Sequence, residues 1–412
     1  MKCKVSKQCG GCTYLNMPEK QQAQIKQEQV EQLAAQYHIK ARIGDVHMAA
    51  HPLHYRNKVI VGFAKQKGTI VSGLYAKHSH RVVPYDQCVL QPEIVNEIIA
   101  AITKMVQSMK IELYNEKTGT GVLRHVMIRW AHATGEIMVV FVTGSSMFPS
   151  RKNMVRALTK QFPQIKTILQ EVNGRNTSVV MEREPMVLYG NGTITDLLCG
   201  LKLRFSATAF YQIHSEQCEA LYDMARKMAD LHPRDTLLDT YCGIGSIGLT
   251  LASSCGHVVG VEQNARALKD AAYNAQSNGI ENIEFVPMDA TAFMKEAAKY
   301  QQHFNVIVLD PPRAGTTRDF IQAAVSLKPR RIVYISCNPE TLMRDLKRFK
   351  KSGYETRKIE LYDLFPYSEH VEGICVLEKK YYNQAASRKK AEARKSFEAK
   401  KIKERKQRRR SK

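Results

Sequence analysis

The sequence predicts an α/β protein: a doubly wound, mostly parallel sheet over residues 206–380, joined to a central α+β domain. Three observations carry that expectation. From Phe210 onward, strand-like apolar runs alternate with helical stretches; the run at 236–239 enters a Gly-rich turn containing Gly243, Gly245 and Gly248; and acids (Asp239, Glu262, Asp289, Asp310) stand at or just past the ends of four successive runs. Alternating strands and helices pack as a parallel sheet covered on both faces, with the ligand site outside the carboxyl ends of the strands.

The elements follow in order. Residues 1–50 open with Cys3, Cys9 and Cys12 in a C-x5-C-x2-C pattern, then a stretch at 18–37 with Ile25, Val30, Leu33 and Ala34 at helical spacing. Residues 51–205 change texture to short β-rich runs with Gly turns at 59–63, 69–74, 122–130, 136–143 and 166–172, interrupted by helical stretches at 93–109 and 151–161. That mixture predicts a largely antiparallel α+β domain. In 206–380 the expected strands are 236–239, 257–262, 283–287, 306–310, 331–336, 356–361 and 373–378. Residues 381–412 carry no apolar periodicity that could bury a core, which predicts a disordered basic tail.

Composition narrows the class. Hydrophobic content of 44% and charged content of 25% are those of a globular chain. No apolar run approaches the length that spans a bilayer, and the start of the chain has no signal-like apolar segment, so the expectation is a cytoplasmic protein without a membrane partner. The net charge is +23, and residues 381–412 alone hold 14 Lys and Arg against 3 Glu. Such a balance points to a polyanion, because each cation that meets a phosphate releases condensed counterions. Arg56, Lys58, Arg124 and Arg129 are the expected phosphate contacts in the central domain. Ten cysteines in a reducing compartment are not a disulfide framework. For the N-terminal set with the distant Cys88, spacing alone suits zinc as well as an iron-sulfur centre.

The turn at Asp239-Thr240-Tyr241-Cys242-Gly243-Ile244-Gly245 lets the backbone approach a ligand, and Glu262, closing the next strand, is placed to hold ribose hydroxyls. G-x-G-x-x-G also occurs in dinucleotide sites. Asp239 four residues before the first glycine, together with Asp310-Pro311-Pro312, favours S-adenosylmethionine over NAD or flavin. Cys337, in Ser336-Cys337-Asn338-Pro339 at the tip of an apolar strand, is placed as a nucleophile, and Glu372 in His370-Val371-Glu372 as a base. One thiolate and one base are what methylation of carbon 5 of a uracil requires. Addition at carbon 6 gives carbon 5 enolate character, and a base must later remove its proton.

DPPR at 310–313, SCNP at 336–339 and FPYSEHVE at 365–372 together resemble the RNA uracil-C5 methyltransferase family. So do Phe210-Tyr211-Gln212, His54-Tyr55-Arg56-Asn57-Lys58 and Leu123-Arg124-His125, and the likeness runs over residues 3–380. It implies that Gln212, Tyr241, Glu262 and Asp310 line an S-adenosylmethionine pocket, with Cys337 as nucleophile and Glu372 as proton acceptor. Cys3, Cys9, Cys12 and Cys88 resemble the [4Fe-4S] ligands of the branch acting on bacterial 23S ribosomal RNA. Because the uracil must leave its stack to meet Cys337, at a cost of a few kcal/mol unless it already lies in a loop, the expected target is a single-stranded or loop uridine. The same reaction on the T-loop uridine of transfer RNA is the alternative; an NAD-linked oxidoreductase or a non-catalytic RNA-binding factor would be a different class. Two departures stand out. Cys3 almost starts the chain, leaving no room for the N-terminal OB-like (TRAM) barrel of many relatives, and Tyr367 stands where relatives often carry His.

Overall fold

A computed structural model describes residues 3–175, 180–181 and 184–380. The basic tail lies outside the described residues, and with it the expectation about its order. The N-terminal cysteine loop leads into helix α1 (Glu19–Gln36) and strand β1 (Arg42–His47). The central portion holds β2 (Lys58–Gln66), β3 (Thr69–Tyr75), β4 (Val82–Pro84), α2 (Glu93–Ser108), β5 (Leu123–Trp130), β6 (Ile137–Thr143), α3 (Arg151–Gln161), β7 (Ile165–Val172) and β8 (Met186–Tyr189). These strands form one seven-stranded sheet in the order β4-β3-β2-β5-β6-β7-β8, antiparallel except for β6 against β7. Helices α2 and α3 cover it through Val95, Ile98, Ile102, Met154 and Leu158.

A hairpin of β9 (Thr193–Leu198) and β10 (Leu201–Ser206) joins this sheet to the next. Its turn is Cys199-Gly200, both at positive φ, as a two-residue hairpin turn requires. After α4 (Ser215–Ala229) come β11 (Thr236–Asp239), α5 (Ser246–Ala252), β12 (His257–Glu262), α6 (Ala265–Ser277), β13 (Ile283–Pro287), α7 (Ala290–Lys299), β14 (Val306–Leu309) and α8 (Arg318–Ser326). The chain continues through β15 (Arg331–Ser336), α9 (Pro339–Lys351), β16 (Tyr354–Glu355), β17 (Lys358–Tyr362) and β18 (Glu372–Lys379). β14 and the inner residues of β15 are continuously buried, as strands covered on both faces must be.

The second sheet is mixed, in the order β1-β17-β18-β15-β14-β11-β12-β13, with β16 pairing off β18. β11 is the switch point: β12 and β13 lie on one side of it, β14 and β15 on the other, which opens a crevice at their carboxyl ends. β18 runs antiparallel to both β15 and β17, pairing Gly373 with Ser336 and Glu372 with Tyr362. β1, absent from the sequence expectation, adds a parallel edge beside β17. Among the described residues no helix is long and apolar enough to cross a membrane.

The apolar face expected for α1 also shifts. Its buried stripe is Gln22, Lys26, Val30 and Ala34, four residues apart, and Ile25 is only half-buried. The cause is an ion pair: Lys26 Nζ lies 2.7 Å from Asp363 Oδ1, both side chains fully enclosed, and also donates to the Phe365 carbonyl. Enclosure pushes the carboxyl up and the ammonium down, so each holds its charge only through the other. Lys26→Met is expected to cost about 3–5 kcal/mol because it strands a buried carboxylate, whereas Lys26→Met with Asp363→Leu should recover most of that. Urea unfolding of the two variants measures it, and a single variant as stable as the parent would show that the pair does not hold this helix.

Candidate functional site

The crevice at the switch point is a cavity of about 570 Å³ lined by residues of both expected sets, including Gln212, Tyr241, Glu262, Asp310, Cys337 and Glu372. On one side, β11 ends in fully buried Asp239, whose Oδ2 accepts the Gly248 amide at 2.9 Å and so folds the Gly-rich turn back onto its own strand. Gly243 sits at φ +55°, and a side chain there would meet no neighbouring atom. Its amide donates to Glu262 Oε2 at 3.2 Å, while Oε1 accepts from the Asn264 amide. Asp289 also lines the cavity, capping α7 through the Ala292 amide.

On the other side, β15 delivers Cys337 one residue past its end, with Asn338 as the N-cap of α9 and Pro339 at its first turn. Asn338 Nδ2 and Thr341 Oγ1 both donate to the Arg313 carbonyl, which ties the SCNP turn to the DPPR turn. Gln212 Nε2 donates to Asp310 Oδ2 at 3.2 Å. Gln212 is held in turn by Asn57, whose Nδ2 donates to its carbonyl at 2.6 Å. Arg313 is exposed, and its Nη2 lies 3.0 Å from His370 Nδ1.

Acids crowd the cavity, with Glu262, Asp289, Asp310 and Glu372 on its wall and Asp239 enclosed at the end of β11. Asp239 and Asp310 are each pushed up to about 7, first by burial and then by another carboxylate. Glu372, 1% exposed with Oε1 unpartnered, is raised well above its ordinary range by burial and by Asp310, against the pull of Arg313. The half-buried Cys337 thiol is pushed up to about 12 by burial, Glu372 and Asp310, again with Arg313 opposing. A protonated thiol and a carboxyl poised to hold a proton therefore share one lip. That pairing permits nucleophilic addition once the thiol loses its proton, followed by proton abstraction.

The four N-terminal-set cysteines line a separate apolar cavity with Arg56, Leu15 and Leu90. Cys9 Sγ accepts from the Gly11 amide at 3.3 Å, and Arg56 Nη2 donates to the Gly11 carbonyl. Among the described residues, no three potential ligands are drawn together closely enough to hold a single metal ion. This cavity is tied to the loop that precedes β18: Tyr367, whose carbonyl accepts the Thr13 and Tyr14 amides, packs in one small core with Leu15, Tyr55, Leu90, Cys12 and Cys88.

Two of the expected phosphate contacts are corrected. Arg129 is 1% exposed, and its Nη1 donates to the carbonyls of Ser206, Ala207 and Ala209, clamping the strand that leads to Gln212. Arg124 is buried and pairs with Glu116 at 2.7 Å. Their positions on β5, inside the sheet, explain both. Residues missed as site members include Phe210, 68% exposed at the mouth of the cavity, and the Arg313–His370 contact. Phe210 was legible only as an apolar residue beside Gln212, and nothing in the sequence marked it as exposed.

A family model described as tRNA (uracil-5-)-methyltransferase matches residues 19–380. The chain is similar to an uncharacterized RNA methyltransferase of Oceanobacillus iheyensis, with 39% identity over 378 residues, 91% of this chain and 82% of that one. A second, from Caldanaerobacter subterraneus, is 33% identical over 387 residues, covering 92% and 84%. Among solved structures it is similar to the Pyrococcus abyssi tRNA (uracil-54, C5)-methyltransferase in complex with S-adenosyl-L-homocysteine. That likeness has a TM-score of 0.73 at 24% identity over 90% of this chain and 86% of the other, and it speaks for the fold.

Arg313 is the cation that opposes the upward shift of both Cys337 and Glu372. Removing it leaves the thiolate less stabilised, so Arg313→Gln should slow iodoacetamide alkylation of Cys337 at pH 8 by about threefold to tenfold, half to one pKa unit. Mass-spectrometric timing of that single thiol is the measurement, and an unchanged or faster rate would refute the role.

Proposed function

The chain belongs to the tRNA (uracil-5-)-methyltransferase family, and from that premise we propose that it methylates carbon 5 of a uridine in 23S ribosomal RNA through a transient Cys337 adduct. The observation that carries the reading is the meeting of Cys337 and Glu372 on one lip of the cavity that the Gly-rich turn opens. S-adenosylmethionine, when bound, supplies an electrophilic methyl group. The residues fit it: an open backbone at Gly243, the carboxylates of Glu262 and Asp289 for polar edges, and Gln212, Tyr241 and Asp310 around the remainder.

The chain's own steps then follow. Phe210 and Phe365 offer apolar faces to an unstacked uracil at the mouth of the cavity. Cys337 gives its proton to water as the base enters, and its sulfur bonds to carbon 6, sending the ring electrons towards carbon 5. Once carbon 5 carries the methyl group, Glu372, having first given its own proton to solvent, takes the proton from that same carbon as a carboxylate. The released electron pair restores the carbon 5–carbon 6 double bond and expels the Cys337 sulfur. The thiol's high resting pKa keeps it unreactive until substrate arrives.

For ribosomal RNA as substrate, the support is the four-cysteine set. Four thiols in one apolar cavity beside Arg56, with the Gly11 amide directed at Cys9, suit a [4Fe-4S] cluster of net negative charge, and Cys3, Cys9, Cys12 and Cys88 would hold it. Its role there would be to order the N-terminal loop that binds Tyr367. The second reading is the T-loop uridine of transfer RNA; the matching family's name supports transfer RNA as the substrate class.

On RNA carrying 5-fluorouridine, the parent protein should form a covalent adduct stable to denaturation, Cys337→Ala should form none, and Glu372→Gln should accumulate an adduct even on ordinary RNA. Continued production of 5-methyluridine by Cys337→Ala would end the proposal; methylation of transfer RNA but not of deproteinised 23S RNA would replace the substrate. Anaerobically purified protein should contain iron and acid-labile sulfide in equal amounts, both lost in Cys88→Ser. Bound zinc without sulfide would overturn the cluster.

A further inference from the structure

A second concavity, of about 460 Å³, lies between α8 and α9 and is lined by Tyr37, Arg318, Arg344, Lys347, Arg348 and Lys351 among others, with no acid on its wall. It is built rather than merely charged. Beneath it, fully enclosed Asp345 accepts the Thr316 amide and the Tyr334 hydroxyl on Oδ2. The same carboxylate draws Arg344 Nε and Arg348 Nη1 onto Oδ1 at 2.9 and 3.1 Å. Arg344 Nη2 is fixed further by the carbonyls of Ala314 and Thr316. Both guanidinium groups are therefore held by one carboxylate, Arg344 through Nε and Nη2 and Arg348 through Nη1, which leaves Arg344 Nη1 and Arg348 Nε and Nη2 outside that contact.

Gly315 makes this possible. At φ +71°, a Cβ there would fall 2.5 Å from Arg344 Nη2 and 2.6 Å from Asp345 Oδ2. The other three cations, Arg318, Lys347 and Lys351, are exposed and have no acid within ion-pair reach among the described residues. Lys347 lies 6.0 Å from the centroid of the Tyr37 ring. Five cations over one buried carboxylate leave a large local excess of positive charge. The strip continues past this concavity into a neighbouring one lined by Lys40, Lys350 and Arg357, with one acid, Glu355. Its length exceeds what a single small anion would occupy.

The strip also has an address. The loop from Arg313 to Thr317 separates it from the catalytic cavity: Arg313 lines the cavity, and Ala314 and Thr316 bind Arg344. At the rise of an α-helix, Arg344 and Lys351 stand about 9 and 20 Å along α9 from Asn338, the neighbour of Cys337. Resting on the reading of the substrate as RNA, we propose that the α8–α9 concavity is a second RNA contact. It binds phosphodiester groups of the strand flanking the target uridine as that strand passes over the Arg313–Thr317 loop.

The test compares the full chain with its Arg318→Gln, Lys347→Gln, Lys351→Gln variant, binding polyuridylate across a salt series. Losing three phosphate contacts on a single strand should make the slope of log affinity against log salt shallower by about 2, with the urea midpoint unmoved. Parent binding with an unmoved slope in the variant overturns this inference alone. So does a variant that loses affinity for inorganic phosphate while keeping the polyuridylate slope, since the site would then take a small free anion. A parent without salt-dependent affinity for RNA overturns both this contact and the RNA reading. A shallower slope in the variant of a parent that makes no 5-methyluridine keeps the contact and removes the methylation.

Discussion

Glu372 reaches Cys337 because β18 runs against its neighbours. The parallel strands β11, β14 and β15 end at the crevice, so their carboxyl ends supply Asp239, Asp310 and Cys337. An antiparallel strand beside β15 begins where the parallel ones end, which sets its first residue, Glu372, next to the Ser336–Gly373 pair. A parallel β18 would place that carboxylate at the opposite edge of the sheet, a strand's length away. The reversal costs the sheet nothing in hydrogen bonding, since antiparallel ladders are at least as stable as parallel ones.

The loop that makes the reversal, 363–371, is held from outside its own sheet. Lys26 binds Asp363 and the Phe365 carbonyl, Tyr55 donates to the Pro366 carbonyl, and Thr13 and Tyr14 donate to Tyr367. Tyr367 itself takes φ +64°, a left-handed conformation that turns its carbonyl to meet both amides. Every one of these partners comes from the first 55 residues. The N-terminal segment is thus a brace for the loop that carries Phe365, His370 and the start of β18, and the cysteine-lined cavity lies within that brace. A side chain such as Lys26 would not be enclosed for stability alone, because an apolar pair would serve as well. Fixing the approach of one loop is a stronger reason.

Charge on the lip is balanced against chemistry. Burial first, and a neighbouring carboxylate second (Glu262 for Asp239, Asp239 for Asp310, Asp310 for Glu372), disfavour ionisation of all three acids, which moves Asp239 and Asp310 up to about 7 and Glu372 well above its ordinary range. Arg313 moderates this from the exposed side. Its backbone is anchored by Asn338 and Thr341, which ties the turn that carries the guanidinium to the turn that carries the thiol. The same short loop, through the Ala314 and Thr316 carbonyls, fixes Arg344 of α9. One turn of chain thereby connects the acid-lined cavity with the basic strip beyond it.

Much of this was legible in the residues. β11 to β15 fall where apolar runs between helical stretches placed them, because a strand buried on both faces must be apolar throughout and a connecting helix must show a stripe. The Gly-rich turn and the acids at strand ends were legible because ligand approach demands particular residue types at particular steps. Pairing partners and the reversal of β18 were not, since local pattern sets an element's kind and leaves its neighbour open. Hence β1 joining β17, Arg124 and Arg129 facing inward, and Lys26 lying in an apolar stripe could not be read from the chain. Sequence alone determined which residues have the chemistry; the fold decided which of them meet, because Cys337 and Glu372 become neighbours only through hydrogen bonds between strands that the intervening 34 residues do not encode locally.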